Sequence, residues 1–139
     1  MARVLILEDD TELRKTYRQL LGERHKLWVW SSKEAARLWE LLAQGYALPE
    51  LAGFGLIISS AWLELGPEEH CSERLVWALR QRFLQVPVIL AGRSPTVPTW
   101  VRLIAGSDPG VRALFPVNEQ ALKVLVEELL GTTTLKGGV

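Results

Sequence analysis

Three consecutive carboxylates, Glu8, Asp9 and Asp10, close an unbroken apolar run, Val4–Leu7. Carboxylates grouped this closely are hard oxygen ligands of the kind that hold Mg²⁺. They are also what a helix N-terminus attracts, each contributing a few tenths to about 1 kcal/mol against the helix dipole. A weak Mg²⁺ site on Glu8 and Asp9 is the most this pattern supports, and no other cofactor is expected. His70 and Cys71 are adjacent and could form half of a metal site, but neighbours in a helix or strand point apart. The other histidine is His25 and Cys71 is the one cysteine, too few for the roughly four convergent ligands of a zinc site.

The acidic cluster needs a strand that ends at Leu7 and a helix that starts near Thr11. Val4–Leu7 reads as a strand buried on both faces, as at the centre of a parallel sheet. Carboxylates at its C-terminal end then lie where open α/β sheets bind ligands. Thr11–Glu23 is predicted helical, with Leu13, Tyr17, Leu20 and Leu21 on one stripe. Asp10 can cap it, and Asp9 with Glu12 has the spacing of a capping box. Gly22 stands where it could help end it.

The alternation continues. Lys26–Trp30 is an edge-like strand, followed by a Ser31/Glu34 capping box and a helix to about Gln44, ended by Gly45. Tyr46–Phe54 is a connection. Gly55–Ser59 is a third strand, and Ser60–Ser72 a loop with room for a helical turn. Glu73–Phe83 is a helix with Leu75, Val76, Leu79 and Phe83 inward. Val86–Ala91 is a fourth strand, Pro98–Ala105 a short helix, Gly106–Gly110 a turn and Val111–Phe115 a fifth strand. Asn118 caps a last helix, Glu119–Leu130. Five strand–helix repeats with right-handed crossovers give a doubly wound α/β domain, a five-stranded parallel sheet with helices on both faces. The domain is expected over residues 1–131, with a polar flexible tail over 132–139.

Composition excludes several functions. The chain has 139 residues, 48% hydrophobic, with 16 Lys+Arg against 16 Asp+Glu. A formal net charge of zero lacks the basic footprint of a nucleic-acid binder or a polybasic membrane protein. No apolar run is long enough to span a membrane, and no leader pattern precedes the first strand, so a cytoplasmic location is the expectation. Trp28 and Trp30 alternate with Val29 and share a sheet face, and Trp39 lies on an apolar stripe. Trp62, Trp77 and Trp100 fall in loops or off stripes, where aromatics serve as partner contacts as readily as they pack.

VLILEDDTELRKTYRQLL, GLIISS at Gly55–Ser60 and VPVILAG at Val86–Gly92 resemble the receiver domain of bacterial two-component response regulators, over roughly residues 3–130. The resemblance implies flavodoxin-like strand order 2-1-3-4-5 and a phosphorylation switch. In such a switch an aspartate after the third strand accepts a phosphoryl group. An acidic pair after the first strand helps hold Mg²⁺, and a Thr/Ser after the fourth strand and a Lys after the fifth contact the phosphoryl oxygens.

Here the acidic pair is Glu8 and Asp9, with Asp10 beside them. The phospho-acceptor position falls on Ser60, a poor nucleophile without a base. The Thr/Ser position falls on Gly92, and the Lys position on Phe115 or Val117. A displaced acceptor at Asp9 or Asp10 would need a cation aimed at it, and none is evident in the sequence. A cation or water bridging Asp9 to the Ser60 hydroxyl remains a variant.

The resemblance with these losses implies a degenerate receiver, not an enzyme, acting as a phosphorylation-independent module that binds a protein partner in trans. A homodimer would use the face of the fourth helix, fifth strand and last helix, with Arg102, Arg112, Glu119, Lys123, Glu127 and Glu128 around it. Direct contact with nucleic acid or membrane is not expected. The alternative is a small-ligand or anion-binding domain using the crevice at the C-terminal edge of the sheet.

Overall fold

The computed structural model describes residues 2–46, 48–82 and 86–131. Five parallel strands lie in the order β2-β1-β3-β4-β5: β1 (Arg3–Leu7), β2 (Lys26–Trp30), β3 (Leu56–Ser60), β4 (Val88–Ala91) and β5 (Val111–Leu114). The helices are α1 (Thr11–Leu21), α2 (Ser32–Ala43), α3 (Glu73–Arg82), α4 (Thr99–Ser107) and α5 (Glu119–Leu130). The fold class and strand order agree with the sequence reading.

Strand β1 pairs with both β2 and β3, Leu5 standing opposite Trp28 on one side and Ile57 on the other. Val4, Leu5, Ile6 and Leu7 are fully buried because successive side chains enter opposite layers. Leu5, Leu7, Ile57, Val88 and Leu90 pack with α2, α3 and α4. Val4, Ile6, Leu56, Ile58 and Ile89 pack with α1 and α5. Uniformly apolar strands are what this double burial requires.

Trp28, Trp30 and Trp39 pack half-buried in the three-helix layer. Trp28 meets Phe54 edge-on at 5.3 Å, and the Arg3 guanidinium lies 4.8 Å from the Trp28 ring centre. Trp62 and Trp77 are more than half exposed. Trp100 instead packs half-buried against the core, which settles for packing a choice the sequence leaves open: on α4 it follows the turn that carries Val101 and Ile104 inward.

Several boundaries shift for local reasons. β4 begins at Val88, whose N–H donates to Gly110; Pro87 has no N–H to enter the ladder. Pro98 is extended and precedes α4, which runs on to Ser107, so the predicted turn shrinks to residues 108–110. Residues 61–72 contain no helical turn; Gly66 and Glu69 form an isolated antiparallel bridge. The connection after α2 holds a short 3₁₀ helix, Pro49–Gly53. Phe83 and the predicted tail lie outside the described residues.

The Arg80 guanidinium grips Asp108 at 2.8 and 3.0 Å and also donates to the Val86 carbonyl. It ties α3 to the turn before β5. Among the described residues, no helix is long and apolar enough to cross a membrane.

Candidate functional site

The C-terminal ends of β1, β3, β4 and β5 bring Glu8–Asp10, Ser60, Gly92 and Phe115 to one edge of the sheet. The three carboxylates leave the end of β1 in three directions. Asp10 is the N-cap of α1, accepting from the Glu12 and Leu13 N–H groups at 2.9 and 3.1 Å. Asp9 caps α2 instead: it accepts from the Ser32 N–H at 2.6 Å and from the Ser32 hydroxyl. The predicted Asp9/Glu12 capping box is therefore corrected. The cap of α1 is Asp10, as expected, because Asp9 reaches the neighbouring helix across the β1–β2 pair. The Ser31/Glu34 box is present, with the Ser31 N–H donating to Glu34 at 3.0 Å.

The Ser32 hydroxyl in turn accepts from the Glu64 N–H at 3.0 Å, joining the β1–α1 loop to residues 61–72 through one serine. Asp9→Ala removes a charge-assisted acceptor for the Ser32 N–H and hydroxyl and is expected to cost about 1 kcal/mol. Urea unfolding would read it, and an unchanged midpoint would show that the Asp9–Ser32 contact contributes nothing.

Glu8 turns inward and is 4% exposed. Its Oε2 accepts from the Asp10 N–H at 3.1 Å, while its Oε1 is buried with no partner among the described residues. Loss of hydration pushes its pKa up to about 7, further raised by the Asp10 and Asp9 charges and opposed by backbone N–H donors. The Tyr17 hydroxyl is likewise buried and unpartnered; burial raises its pKa, with a contribution from the Glu8 charge.

Arg93 is the residue that the sequence did not single out. It follows Gly92 directly, and its Nε and Nη2 both donate to the Asp10 carboxylate, the latter at 2.7 Å. The guanidinium holds Asp10 down at about 2. The expectation that no cation is aimed at the acidic cluster is thus corrected: the cation comes from 83 residues away, where spacing in sequence carries no signal.

Ser60 ends β3 and is buried. Its hydroxyl donates to the Trp62 carbonyl at 3.1 Å and accepts from the Trp62 N–H at 3.2 Å. It closes a local turn. Phe115 follows β5 directly, and its ring covers Gly92: a Cβ on Gly92 would stand 2.6 Å from Phe115 Cε2. Val117 packs in the α1/α5 layer, its N–H donating to the Gly92 carbonyl at 2.9 Å. Of the two alternatives, Phe115 is the side chain at this edge.

The donors present do not suit Mg²⁺. Both Asp10 oxygens face a guanidinium and Asp9 is taken by Ser32. Glu8 sits inside the protein, and a neutral hydroxyl stands at Ser60. Hard divalent cations need several charged or carbonyl oxygens free to converge. Among the described residues no group of three or more His, Cys, Asp or Glu is arranged to hold a metal ion. His70 contacts Glu64 at 2.5 Å, both exposed.

A surface depression of about 860 Å³ lies between α2 and residues 65–69, with Trp39, Leu65 and Pro67 in its wall. An apolar one of about 350 Å³ lies beside Trp30, Leu38 and Leu48. Neither is lined by Glu8, Asp9, Asp10, Ser60, Gly92 or Phe115.

No protein-family model matches the chain, and no curated protein matches it in sequence. Solved structures do match in fold. The response regulator receiver domain protein from Clostridium thermocellum superposes with a TM-score of 0.67 at 16% identity, over 97% of this chain and 98% of that one. The signal receiver domain of an HD domain-containing protein from Pseudomonas fluorescens Pf-5 gives 0.64 at 20% identity, over 99% and 92%. The Francisella response regulator 1452 receiver domain gives 0.63 at 20% identity, over 96% and 99%. These likenesses establish the receiver fold; what the fold does here rests on the residues at its edge.

Proposed function

We propose that this chain is a degenerate receiver-like domain that signals by binding a protein partner in trans, without aspartyl phosphorylation and without catalysis, in the cytoplasm. The supporting observation is that Asp9, Asp10 and Ser60 at the sheet edge are each satisfied from within. Asp9 is on Ser32, Asp10 is on Arg93 and Ser60 is on Trp62, while the Phe115 ring lies over Gly92. In this reading Ser60, Gly92 and Phe115 stand where an active receiver carries its acceptor aspartate, its hydroxyl and its lysine. A phosphoryl group would find a hydroxyl without a base, no side chain at Gly92 and an aromatic face where it needs a cation.

The docking face that fits best is α4–β5–α5. Leu103 on α4 is 68% and Val124 on α5 52% exposed, and the same elements carry Arg102, Lys123 and the Arg112–Glu128 pair at 2.8 Å. An apolar centre with a charged rim suits either an isologous homodimer or a heterologous partner.

The test is incubation with a small acyl-phosphate donor and Mg²⁺, followed by intact mass and peptide mapping. The expected result is no added phosphoryl group at any residue. A Mg²⁺-dependent gain on Asp9, Asp10 or Ser60 would overturn the reading.

A further inference from the structure

We propose that Arg93 is the domain's own cation for the acidic corner: a guanidinium supplied in cis that clasps the β4–α4 loop to the β1–α1 loop and keeps divalent cations out. The inference rests on reading this corner as one without phosphoryl chemistry, and asks what replaced the metal.

The geometry carries it. Two donors of one planar fork meet the two oxygens of one carboxylate, the arrangement in which a guanidinium binds most firmly and most directionally. The carboxylate it takes also caps α1, so both Asp10 oxygens already carry donors. The remaining negative charge is handled separately. Asp9 faces the N-terminus of α2, whose dipole favours it, and Glu8 is buried where its neutral form is favoured.

A second, independent observation is that, among the described residues, one oxygen at this corner is left without a donor. Glu8 Oε1 is buried and unpartnered beside this cluster, an oxygen that a bare cation could use. Arg93 is 58% exposed and packs into no core, so its contact with Asp10 is what fixes its place.

The loop it anchors, residues 92–98, runs straight into α4. The clasp therefore sets where α4 begins, and with it one border of the proposed docking face. A receiver in which a metal and a phosphoryl group would set that loop becomes one in which a side chain of the loop sets itself.

The experiment is a Mn²⁺ titration of the isotope-labelled chain, reading paramagnetic broadening of the amide signals of residues 8–10 against those of the rest of the domain. Wild type, Arg93→Ala and Arg93→Lys are compared, with unchanged signals elsewhere confirming the fold. Removing a charge-assisted bidentate contact exposes Asp10, so Arg93→Ala is expected to broaden selectively at about ten-fold lower Mn²⁺ than wild type. Arg93→Lys, which keeps the charge, stays nearer to wild type.

Equal midpoints for wild type and Arg93→Ala, whether both respond or neither does, would overturn the proposal, as would an Arg93→Lys variant indistinguishable from Arg93→Ala. No phosphoryl donor is present, so this result and the mass measurement above succeed or fail separately.

Discussion

Between pH 4.5 and pH 8 the domain is expected to lose about 3 kcal/mol of stability through Glu8 alone, a loss absent from Glu8→Gln. Glu8 is raised from 4.5 to about 7 in the folded protein, chiefly because burial strips its hydration. Between those two values the folded state holds a proton that the unfolded chain has released. Stability therefore falls as pH rises through that window. The contribution is fully present below about pH 4.5 and gone above the folded value near 7.

Asp10 works in the opposite sense. Arg93 depresses it to about 2, so its contribution is present above its unfolded value and is lost as pH falls through 2. Its window does not overlap that of Glu8. Urea unfolding of wild type and Glu8→Gln at pH 5, 6, 7 and 8 isolates the Glu8 effect as the difference between the two profiles. Parallel profiles would mean that Glu8 is hydrated in solution and ionises normally.

A pH-dependent carboxylate at the end of β1 was not legible in the sequence, although the strand was. Val4–Leu7 could be read because double burial demands an uninterrupted apolar run, and β3 and β4 show the same signature. The helices could be read because one buried stripe repeats every three or four residues: Leu13, Tyr17 and Leu21 on α1, Leu122 and Val126 on α5.

What each carboxylate does could not be read the same way. Three adjacent acids look equivalent in a sequence, yet chain direction after Leu7 sends one inward, one to α2 and one to α1. The partners that decide their roles are Ser32, 23 residues on, and Arg93, 83 residues on. Local spacing reports a helix cap within a few residues and is silent about contacts that only the sheet's topology creates. Trp100 was left undecided for a related reason. A helix of nine residues following a proline-rich loop offers too few turns for its stripe to declare itself.

Gly92 and Phe115 are far apart in the sequence, and the structure packs one against the other. Because a Cβ on Gly92 would stand 2.6 Å from Phe115 Cε2 and 3.0 Å from Cδ2, Gly92→Thr is expected to destabilise the domain by about 1–3 kcal/mol, the range of an overpacked contact. Backbone strain contributes nothing to this cost, since Gly92 is not among the glycines with positive φ.

Phe115→Ala alone is expected to cost about 2 kcal/mol, less than a fully buried phenylalanine because the ring is half-buried. In the Phe115→Ala background the added threonine has room, so the two costs do not sum. The double variant should be more stable than additivity predicts by about 1–3 kcal/mol. Gly92→Ala is the control that separates causes: the clash arises at Cβ, so alanine should show most of the penalty and most of the coupling.

Additive costs in a double-mutant cycle by urea unfolding would mean that the ring moves aside freely. Gly92 and Phe115 would then be independent substitutions. Coupling of the expected size would mean that a side chain at position 92 can be accommodated only after the residue at 115 has changed. Placing a hydroxyl side chain at position 92 then takes two simultaneous changes.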